Sequence, residues 1–168
     1  TVVDYSENGL TELTRDLRSA YNDYLPESYI TYPFDFGSSI FAKLLRSRHF
    51  DIIACFAAHK HVRSEKDHLA IEAMVRNNVF NTKALLDLAV ESNPTRFFSV
   101  STDKAANPVN VMGASKKMME KVLMSYTDEL NITTARFANV AFSNGSLLAG
   151  FLERIQKRQP LSSPNDVK

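Results

Sequence analysis

Short apolar runs alternate with stretches of helical periodicity along this chain, and that alternation limits the possible folds more than any other feature. Val2-Val3 looks like the tail of one strand. Further apolar runs follow at 29–32, 52–57, 96–101 and 132–137. Between them, apolar residues recur at three- and four-residue spacing. Residues 8–20 carry Leu10, Leu13 and Leu17 on one side, and 38–47 forms a second helical stretch. A long stretch from 69 to 91 is closed by Asn93-Pro94. From 113 to 129, Met119, Val122 and Leu123 are apolar while Lys117, Glu120 and Lys121 are polar; a last stretch covers 147–157. Strands alternating with helices predict an α/β domain with a doubly wound parallel sheet and right-handed connections. The unbroken apolar run 52–57 predicts a strand covered on both faces.

At 168 residues the chain is one domain with room for a real core. A net charge of +1 gives no general attraction for nucleic acid or anionic lipid, so neither is expected as a partner. The one cysteine, Cys55, falls in a predicted central strand and is expected to be a buried, inert thiol. A lone cysteine fits a reducing cytoplasm. No apolar run approaches the ~20 residues of a membrane span, and no basic-then-apolar leader stands at Thr1. A cytoplasmic chain is expected, with a membrane anchor upstream in the parent left open.

In open α/β sheets, ligands bind outside the carboxyl ends of the strands. The strand predicted at 96–101 delivers Thr102, Asp103 and Lys104 to such an end. On their own, Asp103 and Lys104 read as a surface ion pair, and a lysine four residues after Met112 says little. The longer string from Ser101 to Lys116 (STDKAANPVNVMGASK) is specific. It resembles the nucleotide-sugar 4,6-dehydratases of bacterial polysaccharide and glycan synthesis, within the extended short-chain dehydrogenase/reductases. Ala57-Ala58-His59-Lys60-His61-Val62, Asn77-Asn78-Val79, Arg136-Phe137-Ala138-Asn139-Val140 and Asn144-Gly145-Ser146 agree, as does Asp4-Tyr5-Ser6-Glu7-Asn8. The resemblance covers essentially the whole chain and implies a Rossmann-like NAD domain.

A dinucleotide fold opens with a strand, a G-x-G-x-x-G turn and a helix. This chain has no such motif, and Asp4 fits the acidic residue that follows the fingerprint by ~20 positions. The expectation is an interior segment of a larger enzyme, lacking its first β-α unit. It would comprise one Rossmann-like domain over 1–168, whose last residues, 155–168, begin the substrate-domain region. Such a segment is expected to be inactive alone.

The resemblance implies a reaction on a UDP-linked N-acetylhexosamine, UDP-N-acetylglucosamine being the substrate expected. A hydride leaves C4, water is eliminated across C5 and C6, and the hydride returns to C6. It assigns Lys104 as base for the C5 proton and Asp103 as acid for the departing C6 hydroxyl. The base would need a lowered pKa, and the acid a dry pocket that keeps it partly protonated. Lys116 is implied to hold the nicotinamide ribose. Met112 stands where the superfamily has tyrosine, and a thioether cannot accept the proton of the C4 hydroxyl. Thr102, Asp103 with a water, or Lys116 are the candidates for that task.

The resemblance further implies NAD contacts at Asp4 and Ser6 for the adenosine ribose, with a carboxylate there favouring NAD over NADP. Asp35 and Phe36 would read the adenine edge. Ala57 and Ala58 would let backbone approach the dinucleotide, although compact packing explains them equally. Asn77 and Asn78 sit in a predicted helix, where asparagine is a poor former, and a site role is favoured. Lys60 is expected near cofactor or sugar, and Val140 near the cofactor. Asn139, Asn144, Gly145 and Ser146 would contact the nucleotide sugar, the last three also reading as an ordinary turn. His59 and His61 make no persuasive metal set with Cys55, so no metal is expected. The family's association through the helices at 69–91 and 113–129 implies a homo-oligomer; Met119 and Leu123 are compatible with facing outward there, and plain core packing explains them as well. A nucleotide-sugar 4-epimerase or a non-catalytic nucleotide-sugar-binding module are the rival readings.

Overall fold

The computed structural model describes residues 1–60, 65, 67–143 and 145–161. Among the described residues, five strands alternate with six helices: β1 Val2–Val3, α1 Glu7–Ser19, β2 Thr31–Tyr32, α2 Ser39–Ser47, β3 Ile52–Cys55, α3 His68–Val75, α4 Asn81–Ser92, β4 Arg96–Thr102, α5 Val111–Met124, β5 Ile132–Phe137 and α6 Leu147–Gln156. The α/β class expected from the alternation is observed.

The strands form two sheets. β1 pairs with β2 in parallel, Val2 opposite Thr31, while β3, β4 and β5 lie in that order. β3 and β4 are parallel, with Ile53 opposite Phe97 and Cys55 opposite Ser99. No described strand joins the two sheets.

β3 departs from its expected double cover. Ile53 and Cys55 are buried, but Ile52 and Phe56 are 63% and 68% exposed. The apolar run is continuous in sequence, yet among the described residues helices cover one side of it. There Phe41 and Leu45 of α2, Leu85, Leu86 and Ala89 of α4, and Met119 and Leu123 of α5 meet Ile53, Cys55 and Phe97. Fully burying side chains such as Phe97 and Leu86 contributes about 1.5–3 kcal/mol each. Met119 and Leu123, compatible in sequence with an outward face, are therefore core residues. The apolar side chains that α5 does turn outward are Met118 and Met124. In α1, Leu10 is buried and Leu17 half-buried, while Leu13 is exposed.

The stretch read as one helix from 69 to 91 is three pieces. Asp67 caps α3 by accepting from the Ala70 amide at 3.1 Å. A π-helical turn, Arg76–Phe80, then leads into α4, which ends at Asn93 in the left-handed region before Pro94. π turns insert one residue into a helix and often mark functional positions. With this one in place, Met74, Asn78 and Thr82, each four residues apart, are all buried.

The chain divides into two compact units, Thr1–Arg136 and Phe137–Lys168. In the second, Ser146 caps α6 by accepting from the Ala149 amide at 3.3 Å. Gly145 precedes it with φ 79°, a conformation that side chains disfavour. No helix among the described residues is long and apolar enough to cross a membrane.

Candidate functional site

β4 ends at Thr102, and a single 3-10 turn, Asp103–Ala105, follows. The Thr102 hydroxyl caps this turn, accepting from the Lys104 amide at 3.4 Å and donating to Asp103 Oδ1 at 2.9 Å. Lys104 Nζ stands 3.4 Å from the same carboxylate oxygen. The Thr102 hydrogen bond first, then the Lys104 charge, hold the Asp103 carboxyl below its usual range. Its side chain is half-exposed. The dry, partly protonated acid that elimination calls for is thus not the state seen here, because hydroxyl, ammonium and solvent all favour the carboxylate.

α5 begins two residues earlier than its periodicity suggested. Asn110 is its N-cap, accepting from the Gly113 amide at 2.8 Å. The Met112 amide, another first-turn donor, is taken by Glu65 Oε1 at 2.8 Å. Gly113 lies so close to the turn after β4 that an added Cβ would come within 2.7 Å of the Lys104 carbonyl oxygen. This contact joins the two halves of the 101–116 string.

Lys116 is buried, and its ammonium donates to the Val100 carbonyl at 3.0 Å and meets Met119 Sδ at 3.4 Å. Burial lowers its pKa, opposed by Cys55 and Glu120. The Cys55 thiol is pushed up by burial, as expected for an inert cysteine, with Lys116 pulling the other way. Met112 is buried as well.

Asn78 is fully buried and brackets the segment after β3. Its Oδ1 accepts from the His59 amide at 2.9 Å, and its Nδ2 donates to the His59 carbonyl and to Ser115 Oγ, both at 3.0 Å. Asn77 donates to Asn78 Oδ1 at 3.3 Å, and Ser115 Oγ donates to the Met112 carbonyl at 2.8 Å. The β3 loop, the π turn and the first turn of α5 are thereby one hydrogen-bonded unit. Ala57 is exposed and Ala58 half-buried at the head of that loop, beside exposed His59 and Lys60.

At the other sheet, Asp4 follows β1 and its Oδ1 accepts from the Ser6 amide at 2.7 Å, while Ser6 caps α1. Asp35 accepts from the Gly37 amide at 2.6 Å, and the Phe36 ring packs edge-on against Phe41. In the second unit, Asn139, Val140 and Gly145 are exposed and Ser146 is half-buried. Asn144, His61 and the Arg63 that follows His61-Val62 lie outside the described residues, as does 162–168. Among the described residues, no three histidine, cysteine or acidic side chains form a metal-binding group.

A carboxylate with one oxygen not used by its own turn stands at the end of β1, and a buried ammonium is anchored beneath the end of β4. Hydrogen-bonding groups of these kinds could hold ribose hydroxyls. Four residues were not singled out from sequence: Asn110, Gly113, Glu120 and Arg136. Asn110 three residues before Gly113 is a capping spacing, and Lys116 with Glu120 is an i, i+4 pair; both signals stood in the sequence.

Parallel strands with helices between them make a Rossmann-like α/β domain. The chain belongs to the polysaccharide biosynthesis protein family, whose pattern matches residues 1–165. It is 40% identical over 111 residues to the capsular polysaccharide biosynthesis protein CapD of Staphylococcus aureus, covering 63% of this chain and 18% of that protein. It is 33% identical over 93 residues to the UDP-glucose 4-epimerase of Rickettsia rickettsii, covering 52% of this chain and 27% of that one. The chain thus spans about a fifth to a quarter of the length of these relatives. Among solved structures, the UDP-glucuronic acid 4-epimerase of Bacillus cereus in complex with NAD has the same fold. Its TM-score is 0.75 at 17% identity, over 98% of this chain and 58% of that one.

Proposed function

We propose that this chain is the catalytic NAD-binding part of a nucleotide-sugar 4,6-dehydratase acting on UDP-N-acetylglucosamine. The observation that carries the reading is the Asp103–Lys104 pair at the carboxyl end of β4, with the Met112–Lys116 turn of α5 seated against it through Gly113. Family membership and the CapD relative support polysaccharide precursors as the setting.

NAD, when bound, supplies the hydride acceptor for C4 and the donor for C6. Asp4 and Lys116 are the residues suited to its two riboses, and Asp35, Phe36, Ala57, Ala58, Lys60 and Val140 complete the proposed contacts. Asn77 and Asn78 support the loop after β3. Lys104 removes the C5 proton once the C4 ketone has acidified it, and Asp103 gives a proton to the departing C6 hydroxyl, so one water leaves. For that, the sugar must cover the half-exposed Asp103 carboxylate and remove the water that favours its charge. Thr102 already donates to Asp103 at 2.9 Å, which links it to the same proton chain; it, Asp103 with a water, and Lys116 are the candidates for the C4 hydroxyl. Asn139, Asn144, Gly145 and Ser146 are proposed for the nucleotide sugar. Self-association through α3–α5 is part of the proposal.

A 4-epimerase is the second reading, favoured by the Rickettsia relative. It would leave Asp103 and Lys104 without a task. Mass spectrometry after incubating the full-length gene product with UDP-N-acetylglucosamine separates the two. Loss of one water supports the dehydratase, whereas an isomer of unchanged mass supports the epimerase.

A further inference from the structure

Lys116 and Glu120 are one helical turn apart on α5, a spacing at which lysine and glutamate ordinarily pair directly. Here they do not pair. Glu120 is buried, and both its carboxylate oxygens are taken by Arg136 of β5, Nε to Oε1 at 2.8 Å and Nη2 to Oε2 at 2.7 Å. The Arg136 hydrogen bonds are the main force holding this carboxylate charged. A two-pronged guanidinium grip is stronger and more directional than a lysine contact. The Arg136 side chain is itself half-exposed, so its charge costs little to keep. Lys116 in turn gives one proton to the Val100 carbonyl, and among the described residues its other hydrogen-bond contact is a thioether. An ammonium has three donors, so capacity remains for a ligand hydroxyl.

We propose that the Glu120–Arg136 pair is a positioning unit for Lys116. Arg136 draws the Glu120 carboxylate onto β5 and out of a direct ion pair with the ammonium, which stays available to a ligand while a negative charge remains one turn away. Neither residue touches the reacting atoms; both act through Lys116. The inference rests on Lys116 serving the cofactor, as in the proposed function. The titratable groups bearing on Lys116 are Cys55 from β3 and Glu120 on its own helix, and Arg136 bears on Glu120 from β5.

The two members of the pair pull in opposite directions, which separates positioning from mere folding. Removing the carboxylate deprives the buried ammonium of its counter-charge. Removing the guanidinium releases the carboxylate to swing onto the ammonium. The test is a pH titration of the Lys116 side chain by 13Cε-lysine NMR on the full chain without substrate, the resonance assigned by its loss in Lys116→Arg. Glu120→Gln is expected to lower the Lys116 titration midpoint by about one pH unit, and Arg136→Gln to raise it. Shifts in the same direction, or none, overturn the proposal. If Arg136→Gln does not fold, Arg136→Lys keeps the charge but loses the fork, and an unchanged midpoint there is equally contrary. The titration needs no turnover. A protein inert toward UDP-N-acetylglucosamine yet showing both shifts would sink the dehydratase reading and leave this one standing.

Discussion

The carbonyl oxygen of Lys104 occupies the space that a side chain at position 113 would need, since a Cβ added to Gly113 would lie 2.7 Å from it. Asn110 Oδ1 and Pro108 Cβ would both be at 3.2 Å, so the backbone has little room to yield. Gly113→Ala gains helix propensity of about 1 kcal/mol, but the overlap costs about 1–3 kcal/mol. The variant is expected to melt lower and, by displacing Lys104, to lose about tenfold or more in turnover. Thermal melts and kcat together check this. A variant more stable than the parent with unchanged kcat would show that the contact relaxes freely.

Asn78 ties His59 and Ser115 together with no exposed surface of its own. Asn78→Ala strands a buried amide, carbonyl and hydroxyl and opens a small void, a loss of about 2–4 kcal/mol. Denaturant unfolding measures the loss. Hydrogen exchange should also show the His59 amide exchanging faster while amides of β4 keep their order of protection.

Those two residues show how far the sequence could be read. The alternation of runs is enough to place the strands and to bring Thr102–Lys104 to a strand end, because hydrophobic period and strand-end geometry are local properties. The start of α5 was displaced because Gly113 breaks helical propensity, whereas Asn110 satisfies a helix-end donor two residues before. Asparagines in a helical stretch betray a special position. That position is a π turn with its amide turned inward, and only tertiary packing reveals this. Ile52 and Phe56 look like core from composition, and which face a helix covers is again a tertiary fact. Glu120 reads as a solvated helix residue until β5 brings Arg136 alongside.

Glu120 also predicts an acid limit to stability. Arg136 holds its folded pKa below the unfolded value of ~4.3. The stabilisation is therefore fully present above that pH and is lost as pH falls through the lower folded value. Glu120→Gln should lower the melting temperature most near neutral pH, and the gap to the parent should close in acid. A gap that stays constant from neutral to strongly acid pH would contradict a charge-based contribution.

Met112 is buried and its thioether accepts no proton. Met112→Leu, similar in volume, is expected to keep kcat within about threefold of the parent. A loss of a hundredfold or more, with the fold intact by circular dichroism, would mean that the sulfur has a direct task in the reaction.

The central claim is elimination driven by Lys104. Its most direct test gives the full-length product UDP-N-acetylglucosamine carrying deuterium at C4 and follows the product by mass spectrometry. The account predicts loss of one water with the deuterium retained and moved to C6, and a fall in rate of about 10²–10⁴ for Lys104→Ala. A product of unchanged mass with C4 inverted, or dehydration that proceeds undiminished without Lys104, would contradict it.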